Sequence, residues 1–363
     1  DLASALRSMN PLLPDVGEQV SGISAGGLAG LLNYDLVQWT EPVKLRNLPE
    51  PGALLGVLFR CDRWLLHNRS QGTLSLLTTT EDDWSNGCKE LVDNWLTAQH
   101  SPTPEQQHGL DQAGRPRHSQ PTQASLPAGQ DSPSSTISDE EHTNLVEEVQ
   151  AAIEQGQFYQ LNFGRIWQGR IDHPWPVFRR LAEANPAPYS GWLHVPDFDF
   201  ALASASPELM LSIDGDELST RPIKGTRPRA RTRDEDEASM RELAATRKEV
   251  SEHMMLVDLE RNDIGRVSRV GSVRWHGWRI ESHPTVHHMV SDIRGLLRED
   301  LDGWDALQAL FPGGSITGCP KTAVIAAIDE LEGAPRGAWT GSLGHHDPRT
   351  GSACWNLLIR TLE

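Results

Sequence analysis

The stretch Glu208-Leu209-Met210-Leu211-Ser212-Ile213-Asp214-Gly215-Asp216-Glu217-Leu218-Ser219-Thr220-Arg221-Pro222-Ile223-Lys224-Gly225-Thr226 decides the reading of this sequence. Two runs of strand-forming residues flank Asp214-Gly215-Asp216, which is the signature of a β-hairpin. A two-residue turn at Asp214-Gly215 sets Glu208 opposite Arg221, and one at Gly215-Asp216 sets it opposite Ile223. Either register brings a carboxylate near Lys224 at the open end of the hairpin. On position alone Lys224 could equally be a surface lysine, so the rest of the chain is judged by whether it builds a site around it.

Upstream, the glycine-rich run from Gly22 to Tyr34 reads as a strand packed where backbones approach closely. Leu54–Cys61, Arg63–Asn68 and Thr73–Thr78 suggest an antiparallel meander. Trp84 to Ala98 reads as a helix with Leu91, Trp95 and Leu96 inward. Residues 100–137 are rich in Gln, Ser and Pro with almost no large apolar side chain, the composition of a disordered linker. This divides the sequence into an N-terminal part, 1–99, the linker, and a region 138–363. Ser138-Asp139-Glu140-Glu141 opens a helix with Leu145, Val149, Ala152 and Ile153 on one face. A strand at Gln157 to Ile166, a helix at Pro176 to Ala184 and strands at Ser190 to Val195 and Phe198 to Ala203 lead into the hairpin, and the charged segment Thr226 to Glu237 reads as a mobile loop.

A long helix is predicted over about Glu235 to Asn262. Leu243, Val250, Met254 and Val257 share one face, and Ala245, Glu252, Leu256 and Leu259 the opposite one, so Glu252 is expected to be buried and in need of a cation, metal or hydrogen-bond network. Strands follow at Ser272 to Trp275 and Thr285 to Leu297. There His287 and His288 point to opposite sides of the sheet and cannot share a metal. A short helix, Trp304 to Leu310, precedes Phe311-Pro312-Gly313-Gly314-Ser315-Ile316-Thr317-Gly318-Cys319-Pro320-Lys321, which opens another helix. This is not a phosphate-binding P-loop, because Cys319-Pro320 replaces the required Lys-Ser/Thr pair and a helix precedes it. Thr317 at a helix N-terminus reads either as an anion site or as a plain capping turn. Arg360, near the end of a last hairpin, is a carboxylate holder or a surface ion-pair residue.

The chain has 363 residues and a formal net charge of -17, which argues against a nucleic-acid surface or an anionic membrane as partner. An anionic small substrate would need a locally basic pocket. Cys61, Cys88, Cys319 and Cys354 are widely separated, as expected of buried free thiols in a reducing compartment. No apolar run has membrane-span length and no signal-peptide pattern opens the sequence, so a soluble cytoplasmic protein is expected. Both ends read as cuts, the expectation being a fragment.

Together Gly26-Gly27, Tyr34-Asp35, Gly156 to Asn162, Ser206-Pro207-Glu208, Pro222 to Thr226, Glu252 to Gly265, His287 to Ser291, Phe311 to Lys321 and Ile359-Arg360-Thr361 resemble the chorismate-utilising enzyme family. The family's fold is α/β (α+β), with two large, mainly antiparallel sheets packed on each other and helices outside. Within the family, Pro222-Ile223-Lys224-Gly225-Thr226 is similar to the aminodeoxychorismate synthase component I branch, whereas anthranilate and isochorismate synthases usually carry alanine at the lysine position. The resemblance implies that Lys224 is a nucleophile towards C2 of chorismate, Glu208 a general acid for the departing C4 hydroxyl, and His288 an active-site histidine beside it. It further implies that Gly225, Thr226, Thr317, Gly318 and Arg360 surround the substrate, that Glu252 is a Mg²⁺ ligand, and that a glutamine amidotransferase subunit supplies ammonia. An amine must be neutral to attack, which a partly desolvated pocket favours. Family chains continue past Ile359-Arg360-Thr361 into a glycine-rich strand and a Glu-rich helix bearing further Mg²⁺ ligands, and strands completing a small regulatory site precede the match. His345 and Cys354 replace a common tyrosine and aspartate. The alternatives are anthranilate synthase component I or another chorismate enzyme, and an inactive truncated paralogue that only binds a partner.

Overall fold

The computed structural model describes residues 1–10, 13, 19–20, 23–79, 82–99 and 133–363. Its framework is a nine-stranded antiparallel sheet. Val286–Leu296 is paired on one side by Arg274–Ser282 and on the other by the continuous run Glu217–Arg221 and Ile223–Pro228, interrupted only at Pro222. From Glu217–Arg221 the sheet continues through Leu209–Asp214, Ser352–Asn356, Ser342–Asp347, Gly27–Leu32 and Gly56–Cys61. A second, three-stranded sheet of Tyr189–Val195, Phe200–Ser206 and Thr361–Leu362 packs on its far end, where Leu31 and Leu343 meet Leu202, Leu193 and Phe200. The expected mixed α/β architecture is present, and the second sheet has three strands in this chain. On the other face of the large sheet, helices Arg247–Gly265 and Gly303–Leu310 bury Val257, Ile264, Trp304, Leu307 and Leu310 against Met210, Ile213, Leu218 and Ile293. Removing such apolar surface from water is the main favourable term in holding the layers together.

Several expectations hold in detail. Ser138 and Glu141 form a reciprocal capping box at the start of helix Asp139–Glu154. The hairpin turn is Gly215-Asp216, since Asp214 pairs with Glu217. Gly30 lies where backbones nearly touch: a Cβ there would stand 1.9 Å from the Val57 carbonyl oxygen. All four cysteines are free, Cys88 buried and the others half-buried. Among the described residues no helix is long and apolar enough to cross a membrane.

Other expectations are corrected. The predicted meander is split, because Gly56–Cys61 joins the large sheet beside Gly27–Leu32 while Arg63–Asn68 and Thr73–Thr78 form a separate hairpin. Helix Asp83–Gln99 leaves Leu91 67% exposed, and the side chains of Trp95 and Leu96 lie outside the described residues. Most of the predicted linker, 100–132, also lies outside them. The predicted linker reaches too far at its end, since Ser134–Ser135 is a strand that pairs with Trp167–Gln168. The expected strand at Gln157 to Ile166 shrinks to Gln160–Leu161, paired with Gly318–Cys319. Thr226 to Glu237 is not a loop: its first residues finish the Lys224 strand and helix Arg233–Ala245 takes up the rest, with Arg229 clamped on Asp236 at 2.7 Å. The single long helix is two, Arg233–Ala245 and Arg247–Gly265, because Thr246 is extended (ψ 105) and belongs to neither.

Gly30→Ala is expected to destabilise the fold by about 1–3 kcal/mol or more, since the added methyl meets backbone that cannot swing away. A chemical-denaturation midpoint unchanged from the parent would show that the sheet opens there at no cost.

Candidate active site

Two irregularities in pairing build the site. Ile223 pairs with Val290 and Thr226 with His288, so Lys224 and Gly225 together occupy the space opposite one residue, a β-bulge. Gly225 adopts φ +91, open to glycine at little cost. A second bulge on Leu209–Asp214 shifts the hairpin so that Leu209 faces Arg221. Together they bring the Ile223 amide to donate to Glu208 Oε1 at 3.4 Å. Arg221 fixes the approach to the bulge by donating to Asp292 at 2.9 Å and to Glu281 at 2.5 Å.

Glu208 is 3% exposed. Burial raises its pKa to about 8, with the Glu260 charge adding to the rise and the Ser315 hydroxyl, the Ile223 amide and Lys224 opposing it. It is therefore largely a protonated acid at neutral pH, able to give a proton to a leaving group. Lys224, half-buried, extends its amine to 4.0 Å from Glu252. The hairpin has thus joined the amine and the acid as expected.

Glu252 departs from expectation. It is not buried: its side chain is 34% exposed and is shared between Lys224 and, at 3.7 Å, Lys248. The carboxylates enclosed on this helix are instead Glu260, two turns further on, and Asp263, each at 4% exposure. Periodicity had no means of marking Glu260, whose environment is made by residues far away in sequence. Among the described residues no three His, Cys, Asp or Glu side chains gather as a metal centre. Mg²⁺ keeps several waters and takes one or two protein carboxylates together with substrate oxygens. Glu252, a lone accessible carboxylate beside the amine, fits that partial role.

His288 is 2% exposed, with Nδ1 2.9 Å from Thr226 Oγ1 and Nε2 3.1 Å from Arg360 Nη2. A guanidinium only donates, so Nε2 is the acceptor and the proton sits on Nδ1. Burial, followed by the nearby Arg360 charge, lowers the His288 pKa to about 4, which keeps the ring neutral. His287 instead faces Asp236 at 3.0 Å and Ser282 at 2.8 Å, on the opposite side as the alternation requires. Arg360 adopts φ +52 and has no carboxylate within ion-pair distance among the described residues, which leaves its remaining donors for an anion.

Thr317 does not head the following helix. Its hydroxyl donates to the Gly313 carbonyl at 3.0 Å, and Pro320 is the N-cap of Lys321–Glu332. Gly318, at φ +148, packs where a Cβ would stand 2.1 Å from the Gln160 carbonyl oxygen. The glycine turn therefore holds backbone together and brings Ser315 to Glu208. Sequence reasoning also missed His253, fully buried next to Glu252 and 2.7 Å from Ser291 Oγ, which in turn accepts from the Trp275 indole at 3.1 Å.

Residues 3–363 match the family described as chorismate binding enzyme. Aminodeoxychorismate synthase component 1 of Bacillus subtilis is 36% identical over 349 residues, 93% of this chain and 68% of the relative. Anthranilate synthase component 1 1 of Haloarcula marismortui is 37% identical over 345 residues, again 93% and 68%. The chain thus spans about two thirds of the length of these relatives. In fold it is similar to anthranilate synthase component I from Streptococcus pneumoniae, with a TM-score of 0.76 over 98% of this chain and 76% of that one at 24% identity.

Because the folded pKa of Glu208 lies above its ordinary value of 4.5, the native state holds a proton that the unfolded chain releases, and stability falls as pH rises between 4.5 and about 8. Glu208→Gln removes that penalty. Its stability relative to the parent should grow by on the order of a few kcal/mol from the acid to the alkaline side of this window, read from paired unfolding curves; a constant difference would mean the carboxyl titrates as an ordinary one.

Proposed function

This chain belongs to the chorismate binding enzyme family, and from that premise we propose that it aminates chorismate at C4, as the first component of an aminodeoxychorismate synthase. The observation that carries this reading is a lysine on a bulge beside a buried carboxyl in its acid form, a nucleophile and a proton donor on one rigid hairpin. Lys224 Nζ adds to C2 of the ring. Both conjugated ring double bonds shift along the ring, and the C4 hydroxyl departs as water with the proton of Glu208, which the incoming ammonia later returns. Ammonia then enters at C4, the double bonds return, and the lysine is expelled, yielding 4-amino-4-deoxychorismate and a free amine for the next turnover. Arg360 receives a substrate carboxylate, and Gly225, Thr226, His288, Thr317 and Gly318 line the remainder of the pocket.

Glu252 would hold a Mg²⁺ ion, which would supply positive charge to offset the ring carboxylate. Ammonia reaches the pocket from a glutamine amidotransferase subunit, and the product feeds p-aminobenzoate formation. The second reading is anthranilate synthase, favoured by the equal identity to the Haloarcula relative. The two separate on product: with chorismate, Mg²⁺ and ammonium, aminodeoxychorismate supports amination, and anthranilate with pyruvate excludes it.

Two variants test the roles. Lys224→Ala should lower aminodeoxychorismate formation by at least about 100-fold, since general acid–base and binding terms alone remain; undiminished formation removes the nucleophile role. Glu252→Gln should weaken Mg²⁺ binding, measured calorimetrically with chorismate present, by about 10-fold or more, and an unaltered isotherm would place the ion elsewhere.

A further inference from the structure

Glu260 is a buried carboxylate for which the proposed reaction has no use. It lies under the active hairpin on helix Arg247–Gly265. Thr220 Oγ1 donates to Glu260 Oε2 at 3.2 Å and stands 3.5 Å from the carbonyl oxygen of Leu209, the residue that follows Glu208. The Gly314 amide donates to Glu260 Oε1 at 3.1 Å, and the adjacent Ser315 lies near Glu208 without a hydrogen bond to it. The hairpin and the glycine turn therefore both bind Glu260, and the hairpin alone, through the Ile223 amide, binds Glu208.

The charges in that cluster do not balance. Glu260 is faced by Asp263 from its own helix, by Lys321 from helix Lys321–Glu332, by Thr220 from the hairpin and by the Gly314 amide. Lys321 is committed to Asp263 at 2.5 Å. Glu208 is faced by Glu260, Ser315, the Ile223 amide and Lys224, and Lys224 is shared with Glu252 at the rim. Asp263 is also faced by Arg266 and Glu41, which pair with each other at 3.2 Å. The enclosed carboxyls of Glu208, Glu260 and Asp263 thus have Lys321 as their one enclosed ammonium, with Lys224 and Arg266 partly exposed and shared with other carboxylates, which favours a proton on one of the three. The donors decide which: Glu260 receives two at 3.1 and 3.2 Å, whereas the Glu208 carboxyl has one backbone amide at 3.4 Å. Hydrogen bonds to an ionised carboxylate stabilise it, so the negative charge settles on Glu260 and repels one on Glu208.

We propose that Glu260 is a positioning residue that keeps the neighbouring Glu208 carboxyl in its acid form. The inference rests on the acid role proposed for Glu208 and extends it, since it makes that role depend on a second carboxylate that never meets substrate. Burial followed by the Glu260 charge raises Glu208 to about 8, and burial followed by the Asp263 charge raises Glu260 to about 7.

The test is an infrared titration of the protonated-carboxyl band across the neutral and alkaline range, with Glu208→Gln identifying the Glu208 contribution. In Glu260→Gln, which keeps an oxygen for Thr220 and Gly314 but loses the charge, the Glu208 midpoint should fall by about one pH unit or more. The alkaline limb of the kcat/KM profile should fall with it, leaving about tenfold less acid form above the new midpoint. A midpoint unmoved in Glu260→Gln overturns the proposal. Should Glu260→Gln fail to fold, Glu260→Met carries the same expectation and the same overturning result. The infrared readout needs no turnover, so it stands even if Glu208→Gln leaves amination intact, an outcome that would sink the acid role alone.

Discussion

The site depends on one extra residue. Along the central strand Val286–Leu296, the run from Glu217 to Pro228 keeps regular antiparallel pairing except at Lys224-Gly225, where two residues take the place of one. In an unbroken strand, side chains alternate strictly between faces, and a slip of one residue reverses every assignment. The bulge confines that reversal to a single point. It presents the amine beside Glu208 while Thr226, just beyond it, still reaches His288 on the paired strand. Gly225 makes the turn feasible, and Arg221, tied to Glu281 and Asp292, stops the irregularity from relaxing back along the strand.

Around that point the chain enforces a particular distribution of protons. His253 and His288 are buried and held neutral, with pKa values lowered to about 4, so neither adds positive charge near the amine. Glu208 is pressed towards its acid form by the same desolvation. A pocket that must accept an anion and release a hydroxyl is served by both effects, because an imidazolium would compete for the anion and a carboxylate would repel it. The positive charge is left to Arg360, with no carboxylate within ion-pair distance among the described residues, and to Lys224, 4.0 Å from Glu252.

Much of this was legible in the sequence because it depends on local pattern. The hairpin, the capping box at Ser138, the close-packed Gly30 and the opposed His287 and His288 all follow from turn chemistry or a two-residue period. Local pattern gave no hold on features created by distant partners. The bulge has no signature beyond Gly225, since a register shift is defined by the opposing strand. The break at Thr246 replaces a continuous helical pattern with two helices, and on the second the buried side is that of His253, Leu256, Val257, Glu260 and Ile264, which leaves Glu252 beside it. Thr317 resembled a helix cap in sequence, yet its hydroxyl is taken up by Gly313 within the turn.

The sheet also imposes an order on synthesis. Leu32 pairs with Ser342 and Leu28 with His346, so the apolar strand Gly27–Leu32 finds its inner neighbour only after some 310 further residues have been made. At about 5–20 residues per second, that neighbour emerges some 15–60 s later. For that interval Gly27–Leu32 has only Gly56–Cys61 beside it, and its other edge is an open template for pairing with any strand nearby. The strand Gly27–Leu32 is thus among the longest-waiting edges of the large sheet, and over that interval it is open to association with other copies of the chain.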